Sequence, residues 1–273
     1  MTSIGPKNTR IMTIERGWLD KESGAEWFTL LRGASGTGNP YQGDSVCGYT
    51  GDDESHYMKC RSALALRLGV DECNLVQPRQ SHTSNVLFLD DEFFSKDDNF
   101  RCECLQDVDG IVTCRRDAAI GVNTADCVPV LLCAGGSVPM VAAIHAGWRG
   151  TVAGIVSNAV DCMVAHGASV NGMSAYVGVS ICGKCYEVGD EVADMFAGAG
   201  LGGKEIISRN KITGKAHVNL KEANRVLLVR AGLDWDRITV NEECSFELTD
   251  KYYSARRMGV NSGRTFTGII LHG

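Results

Sequence analysis

Three short segments of the sequence carry side chains that can bind a metal ion. They are Gln-Ser-His-Thr at residues 80–83, Thr-Ala-Asp-Cys-Val-Pro at 124–129 and Ile-His-Ala-Gly-Trp-Arg-Gly-Thr at 144–151. Two imidazoles and one thiolate make a ligand set that leaves zinc an open fourth position for water or substrate, whereas structural zinc sites usually have four protein ligands. The residue types therefore predict a catalytic zinc site at His82, Cys127 and His145.

Each of these residues also has a structural interpretation when it is taken singly. A lone histidine beside an apolar strand is more often structural than a ligand, and Asp126 followed by Cys127 could be a turn residue followed by a core thiol. Cys127 could also be the nucleophile of a Cys–His hydrolase, in which the thiol must be free of metal. A further hypothesis joins Cys102-x-Cys104 and Cys182-x-x-Cys185 into a Cys₄ zinc knuckle, although the two pairs are far apart in sequence.

The elements that must position these residues can be predicted from hydrophobic periodicity. Helical stripes predict helices over residues 151–166, 189–197 and 220–231. Strands are predicted over 86–89, 110–113, 128–132, 138–144, 175–179 and 238–240, of which 128–132 and 138–144 are nearly continuous apolar runs, as in strands covered on both faces. Because helices and strands alternate irregularly, the sequence predicts one layered α+β sandwich domain with mixed sheets over residues 1–273. Residues 33–51 are predicted to form a long loop.

Composition excludes several classes of protein. The net charge of −6 argues against binding to nucleic acid or to a membrane surface, which usually requires a basic patch. Residues 1–20 lack the apolar core of a signal peptide, and no apolar run is long enough to span a bilayer. These features predict a cytoplasmic protein, so most of the twelve cysteines are expected to be reduced and buried in the core.

The Gln-x-His, Ala-Asp-Cys-x-Pro and His-Ala-Gly-Trp-Arg-Gly-Thr motifs resemble those of the laccase-domain or YfiH-like family. That family was historically labelled multicopper polyphenol oxidoreductase, and it is now understood as zinc-dependent purine nucleoside phosphorylases with adenosine deaminase and methylthioadenosine phosphorylase activity. The resemblance extends from residue 28 to residue 264. The chain departs from the family at Ser81 and Thr83, where the usual motif is Gln-Val-His-Gly, and at residues 45–49.

The resemblance implies a layered α+β fold and places the metal ligands and the catalytic centre on His82, Cys127 and His145. It also implies phosphorolysis of adenosine, inosine and methylthioadenosine to free base and sugar 1-phosphate, with adenosine deaminase activity. The substrates are then purine nucleosides and phosphate. A guanidinium group matches two phosphate oxygens, so Arg32 and Arg149 are candidate phosphate ligands, with ion pairing as the alternative role.

Deamination needs an acid/base, for which the candidates are Asp126 and Glu187, and either could instead cap a turn. Trp148 could stack on a purine, although core packing is the more common role of such a residue.

Two other functions compete with the nucleoside enzyme. A multicopper polyphenol oxidase needs several histidines in His-x-His pairs, whereas this chain has six histidines and no such pair, so copper is expected only as an adventitious or alternative metal. A non-enzymatic protein stabilised by zinc is the other alternative. The sequence leaves open the preferred nucleoside, the balance between phosphorolysis and deamination, and the oligomeric state.

Overall fold

The computed structural model describes residues 12–33 and 39–273. Residues 1–11 of the N-terminal segment and residues 34–38 of the predicted loop lie outside the described residues. Within the described ranges, the strands are β1 (Ile14–Asp20), β2 (Ala25–Leu30), β3 (Leu75–Val76), β4 (Val86–Phe88), β5 (Gly110–Thr113), β6 (Ala119–Thr124), β7 (Val128–Ala134), β8 (Met140–Ala146), β9 (Ser174–Val177), β10 (Glu187–Val188), β11 (Ile207–Arg209), β12 (Ala216–Val218), β13 (Ile238–Val240) and β14 (Thr265–Leu271). The α-helices are α1 (Glu54–Leu68), α2 (Asp91–Ser95), α3 (Asp98–Cys104), α4 (Trp148–Val152), α5 (Ile155–Ala165), α6 (Asp190–Gly198), α7 (Leu220–Arg230) and α8 (Ala255–Met258).

The strands form two large mixed sheets and one small sheet. The six-stranded sheet has the order β13-β9-β7-β8-β5-β4, with antiparallel pairs at its centre and one parallel pair at each edge. The five-stranded sheet has the order β1-β2-β14-β6-β3, in which only β3 and β6 are parallel. The small sheet, β10-β12-β11, is antiparallel. The combination of mixed sheets with helices confirms the predicted α+β class.

Apolar side chains pack the elements into four layers. Helix α1 covers the outer face of the five-stranded sheet, where Leu64 belongs to the same buried cluster as Phe28 and Phe266. The inner faces of the two large sheets share a second core. The other face of the six-stranded sheet packs against α5, α6 and α7, through side chains such as Val156 and Phe196. Each large apolar side chain that becomes fully buried contributes about 1.5–3 kcal/mol to folding.

The central strands β7 and β8 explain the two continuous apolar runs of the sequence. Every residue of both strands is buried, because one face of the sheet meets the helices and the other meets the second sheet. The antiparallel register pairs Pro129 with His145 and Val128 with Ala146. The start of β7, which follows Cys127, therefore lies beside the end of β8, and the strand pairing brings Cys127 and His145 to one edge of the sheet.

The structure also corrects two expectations. The helix predicted over residues 151–166 is divided into α4 and α5, because Gly154 has a φ of +77° that interrupts the helical backbone. The prediction that most cysteines are buried is wrong: within the described residues all twelve are free of disulfides, but four are buried and three are exposed. Cys133 in β7 is buried, whereas Cys162 in α5 is half-buried. In the part of the chain that the structure describes, no helix has both the length and the hydropathy that a membrane span requires.

Candidate metal centre

The three side chains predicted to bind zinc lie next to one another. One ligand atom from each of His82, Cys127 and His145 falls within 4.8 Å of the other two. The Cys127 Sγ lies 3.8 Å from His82 Nε2, and the two imidazole rings meet edge to face with centroids 4.8 Å apart. His145 is buried and His82 is exposed, so the group is closed on one side and open to solvent on the other.

Three different parts of the fold supply these ligands. Cys127 lies in the turn between β6 and β7, and His145 lies in β8. His82 lies in the loop between β3 and β4, and its backbone has a φ of +65°, in the left-handed region that non-glycine residues seldom adopt. The loop conformation must therefore be stabilised by specific contacts.

The Asp109 carboxylate supplies those contacts. It is fully buried, and it accepts hydrogen bonds from the main-chain nitrogens of His82 at 3.0 Å and Thr83 at 2.8 Å. It also accepts a bond from His145 Nδ1 at 2.7 Å. Because Nδ1 of His145 donates to the carboxylate, the Nε2 lone pair is left to face the other ligands, as in the carboxylate–histidine–metal arrangement of many metalloenzymes. Thr83, where the family usually has glycine, adds a bond from its hydroxyl at 2.8 Å.

The charges in this group favour a thiolate beside an imidazolium when no metal is bound. Burial by itself would raise the pKa of Cys127, but the charge and hydrogen bond of His145 and contact with His82 lower it to about 6. Burial would lower the pKa of His145, but the Cys127 thiolate and Asp109 raise it to about 9. Burial opposes the ionised form of Asp109 as well, yet bonding to His145 and Thr83 lowers its pKa to about 2. A thiolate is the form of cysteine that binds metal ions.

Gly147 packs tightly against the predicted ligands His82 and Cys127. A Cβ atom built on Gly147 would lie 2.9 Å from His82 Cδ2 and 3.1 Å from Cys127 Sγ, both shorter than ordinary van der Waals contacts. Only glycine therefore fits at this position without displacing the ligands. The donor set, the buried carboxylate behind His145 and the glycine against His82 and Cys127 together fit a zinc ion with three protein ligands.

The Asp126 carboxylate is held by hydrogen bonds within the protein. Its backbone φ is +88°, and its carboxylate accepts bonds from Ser245 Oγ at 2.7 Å, Ser254 Oγ at 3.0 Å and the main-chain nitrogen of Arg256 at 2.7 Å. These contacts fix the turn that precedes Cys127. They use lone pairs that an acid/base would need, so they favour the turn-forming role that the sequence left open for this residue.

Two arginines and a tyrosine lie next to the metal-binding group. The guanidinium of Arg256 lies 5.4 Å from the centre of the Tyr186 ring, and exposed Arg149 lies over Trp148. Burial raises the pKa of Tyr186 to about 12; the negative charges of Cys127 and Asp126 act in the same direction, whereas Arg256 and Arg149 oppose it. The charges of both arginines and of Cys127 therefore all affect the pKa of the Tyr186 phenol. Sequence reasoning did not single out Tyr186 or Arg256 as site residues.

The other candidate residues have protein partners. Arg32 is buried, donates to the main-chain oxygens of Gln42 at 3.1 Å and Thr249 at 2.5 Å, and lies over the Tyr253 ring. The Glu187 carboxylate lies 2.6 Å from Lys215 Nζ.

These surroundings support structural roles for Arg32 and Glu187, and their substrate and proton-transfer roles stay predictions. Trp148 is half-buried against the core beneath α4, which supports its packing role.

The hypothesis of a zinc knuckle built from Cys102, Cys104, Cys182 and Cys185 is wrong. Cys102 and Cys104 lie on α3, whereas Cys182 and Cys185 converge on a different residue, Cys244. The spacing of cysteines within a motif could not identify Cys244 as the third member of this group, because Cys244 lies far along the chain, after β13.

Comparisons with known proteins match nearly the whole chain. The model of the family described as "Multi-copper polyphenol oxidoreductase laccase" matches residues 26–272. Adenosine deaminase RL5 from an unknown prokaryotic organism is 44% identical over 246 residues, which cover 90% of this chain and 94% of the relative. A purine nucleoside phosphorylase from Bacteroides thetaiotaomicron is 34% identical over 249 residues, which cover 91% and 92%. The crystal structure of the hypothetical protein YfiH from Bacillus licheniformis superposes with a TM-score of 0.81 and 28% identity over 90% of this chain and 92% of that chain.

Proposed function

The chain belongs to the family described as multi-copper polyphenol oxidoreductase laccase, and from this premise we propose that it is a zinc-dependent enzyme that cleaves purine nucleosides with phosphate. Its substrates are adenosine, inosine and methylthioadenosine, and its products are the free base and the sugar 1-phosphate. The observation that carries the proposal is the cluster of His82, Cys127 and His145, which lies next to two arginines in a chain whose relatives are named as purine nucleoside enzymes.

In phosphorolysis, a phosphate oxygen forms a bond to C1′ of the sugar while the bond from C1′ to the purine nitrogen breaks. The bonding electron pair leaves with the purine, which then takes up a proton. His82, Cys127 and His145 would hold the zinc ion, and Asp109 would keep His145 in the tautomer that presents Nε2. When it is bound there, zinc supplies Lewis acidity that stabilises negative charge on the reacting groups.

Arg149 is the better placed of the two predicted phosphate ligands. It is exposed and lies two residues after Gly147, which contacts His82 and Cys127, so its guanidinium can turn toward an entering anion. A bidentate contact to phosphate is stronger than a contact between neutral groups and also orients the anion. Arg256 already donates Nη1 to the main-chain oxygen of Glu187 at 3.1 Å, which fixes the position of its positive charge beside Tyr186.

Deamination of adenosine is the second candidate activity of the same site. It is favoured by the relative that is 44% identical, which is named as an adenosine deaminase. In that reaction a water oxygen adds to C6 of the purine and ammonia leaves, so phosphate is not consumed. Phosphate dependence therefore separates the two activities.

The connection from Asp109 through His145 to Cys127 also has the order of a nucleophile triad, as a Cys–His hydrolase would require. His82 argues for a metal instead, because its Nε2 lies 3.8 Å from the same sulfur. A copper polyphenol oxidase is less well supported, because in the described residues this metal-binding group joins only two of the histidines, and a multicopper site needs several imidazoles.

The test is an assay of zinc-loaded protein with inosine, adenosine and methylthioadenosine, each with and without phosphate. We expect free base and sugar 1-phosphate only when phosphate is present, and ammonia from adenosine if the second activity operates. Arg149→Ala should raise the KM for phosphate by about ten-fold or more, which is the loss of about one charge-assisted hydrogen bond. Arg67→Ala, at an exposed position on α1, is the matched control. Zinc-loaded protein that releases neither base nor ammonia from any of the three nucleosides would refute the proposal.

A further inference from the structure

A second group of thiols lies outside the site described above. One sulfur atom from each of Cys182, Cys185 and Cys244 falls within 4.8 Å of the other two. Cys182 and Cys185 are half-buried, Cys244 is buried, and none of the three is in a disulfide. Three thiols that face one another in a protein are a soft ligand set of the kind that selects zinc.

Main-chain hydrogen bonds build this group from two separate segments. The first segment is a tight turn, in which the nitrogens of Cys185 and Tyr186 both donate to the Cys182 oxygen at 3.0 Å. The second segment is joined to the first by a parallel bridge between Ser180 and Cys244. The main-chain nitrogen of Cys182 then donates to Cys244 Sγ at 3.2 Å. An N–H group aimed at a sulfur favours the thiolate form, which is the form that binds a metal.

A carboxylate completes the group. The segment that begins at Cys244 forms a turn, in which the Glu247 nitrogen donates to the Cys244 oxygen at 3.2 Å, and this turn brings Glu247 Oε1 to 3.7 Å from Cys185 Sγ. Cys182, Cys244 and Glu247 line one open cleft, and the Cys185 sulfur lies within 4.8 Å of the other two sulfurs. A tetrahedral zinc ion with Zn–S bonds of about 2.3 Å keeps its sulfur ligands about 3.8 Å apart. The thiols therefore need to move by only about 1 Å or less to reach that geometry.

We propose that Cys182, Cys185, Cys244 and Glu247 bind a second, structural zinc ion. Four protein ligands close the coordination sphere, so this ion leaves no position for a substrate, in contrast to the three-ligand group at His82. The proposal rests on residues that take no part in the proposed nucleoside chemistry.

The position of the second ion suggests what it stabilises. The residue before Cys182 is Ile181, whose nitrogen donates to the Asp126 oxygen at 3.0 Å. The residue after Cys244 is Ser245, whose hydroxyl donates to the Asp126 carboxylate at 2.7 Å. Both segments that carry the thiols therefore contact the residue that precedes Cys127. A zinc ion between the segments fixes them relative to each other, and this supports the turn that presents Cys127.

The zinc content of the purified full-length protein tests this proposal. We expect about two zinc ions per chain in the wild-type protein. Cys244→Ser and Cys185→Ser should each remove about one ion and leave the other, and Cys127→Ser should remove the other ion alone. Cys102→Ser, a substitution of an exposed cysteine on α3, should leave both ions in place and serves as the control.

A second measurement covers the case in which Cys244→Ser does not fold. Titration of Cd²⁺ into metal-free wild-type protein should produce thiolate-to-metal absorption in two stages, and Cys185→Ser at its half-buried position should remove most of one stage. A wild-type protein with a single zinc ion that is lost in Cys127→Ser would overturn the proposal. So would a Cys182–Cys185 disulfide found by mass spectrometry in protein isolated from cells with its thiols trapped. A protein with two zinc ions that is inactive on nucleosides would leave this proposal standing while it refutes the proposed function.

Discussion

Replacement of Asp109 by asparagine tests how the proposed metal site at His82, Cys127 and His145 is organised. The carboxylate accepts five hydrogen bonds, from His145 Nδ1, from the main-chain nitrogens of Ser81, His82 and Thr83, and from the Thr83 hydroxyl. Asparagine keeps the size of the side chain but converts one acceptor oxygen into an NH₂ donor. Whichever way the amide is turned, that donor faces N–H groups, so at least one buried donor loses its partner.

The expected cost follows from these contacts. A buried donor without a partner costs about 1–3 kcal/mol, and bonds to a charged acceptor contribute more than neutral ones, so the free energy of unfolding of the metal-free protein should fall by about 2–5 kcal/mol. The zinc affinity should fall by about 10–100-fold, because His145 loses the carboxylate that fixes its tautomer.

The pH dependence of the unfolding free energy gives a further check on the contribution of the Asp109 carboxylate. The pKa of Asp109 in the folded protein is lowered to about 2, below an unfolded value of about 3.9. Its stabilising contribution is therefore fully present above about pH 4, and it is lost as the pH falls toward 2. Asp109→Asn removes this contribution, so the difference in unfolding free energy between wild type and variant should shrink over the same interval.

Urea unfolding of the metal-free proteins and zinc competition with a chelator measure these quantities. Asp107→Asn is the matched control, because it makes the same substitution two residues away at an exposed position, and it should change both quantities little. An Asp109→Asn variant with wild-type zinc affinity would refute the tautomer argument, even if its stability were reduced.

Three further predictions concern residues around the site and one ion pair. Gly147→Ala should weaken zinc binding by about ten-fold or more, because the new methyl group would lie 2.9 Å from the His82 imidazole carbon Cδ2. Gly198 has open space around it, so Gly198→Ala is the control and should leave zinc binding unchanged. Asp126→Ala should lower the unfolding free energy measured in urea by about 1–3 kcal/mol, because three donors lose their acceptor. Burial opposes ionisation of Glu243, but bonding to Lys251 and Tyr252 outweighs it and lowers the pKa of Glu243. The destabilisation caused by Glu243→Gln, measured in urea, should therefore be fully present at pH 7 and should shrink progressively as the pH falls below the unfolded pKa of about 4.3.

The part of the fold that could be predicted is the part where burial is simplest. Strands β7 and β8 are covered on both faces, so their sequences are continuous apolar runs that length and composition identify as strands. Helix α7 was predicted to within one residue, because its apolar stripe lies between the N-cap Asn219 and a glycine-containing turn. The prediction that one domain covers residues 1–273 stays a prediction.

For most strands of the five-stranded sheet, the sequence shows no apolar pattern as clear as those of β7, β8 and α7. Strand β14 reads Thr-Phe-Thr-Gly-Ile-Ile-Leu and β6 reads Ala-Ile-Gly-Val-Asn-Thr, and the glycine in each strand and the asparagine in β6 disfavour a strand interpretation. Gly268 and Gly121 are required because a Cβ atom there would lie 2.5 Å from the Phe28 ring and 2.4 Å from the Phe266 ring. Helix α1 was missed because its apolar stripe occupies only its second half, at Leu64 and Leu68 among its buried residues. In both cases tertiary packing, rather than local pattern, decides the structure.

Some residues of the candidate site could be identified from the sequence, and others could not. His82, Cys127 and His145 could be chosen from chemistry, because imidazole and thiolate side chains at strand ends suit zinc. Asp109 could not, since a carboxylate before a strand is common and its role depends on contacts with Thr83 and His145, which lie 26 and 36 residues away. The partner Cys244 was missed for the same reason, because its sulfur meets Cys182 across a separation of 62 residues.

Two of the four non-glycine residues with a positive φ in the described ranges lie at the candidate metal site. His82 and the residue before Cys127, Asp126, both have positive φ values, and such a conformation costs about 1–3 kcal/mol for a non-glycine residue. In each case a buried carboxylate with several donors stabilises the strained turn: Asp109 accepts bonds from the loop that carries His82, and Asp126 accepts bonds from two serines and one main-chain nitrogen. The third ligand, His145, lies in a regular strand and needs no such support beyond its bond to Asp109. The chain therefore uses the rigid sheet for one of the predicted ligands and two aspartate-centred networks for the other two, which explains how distant parts of the sequence bring these three side chains together.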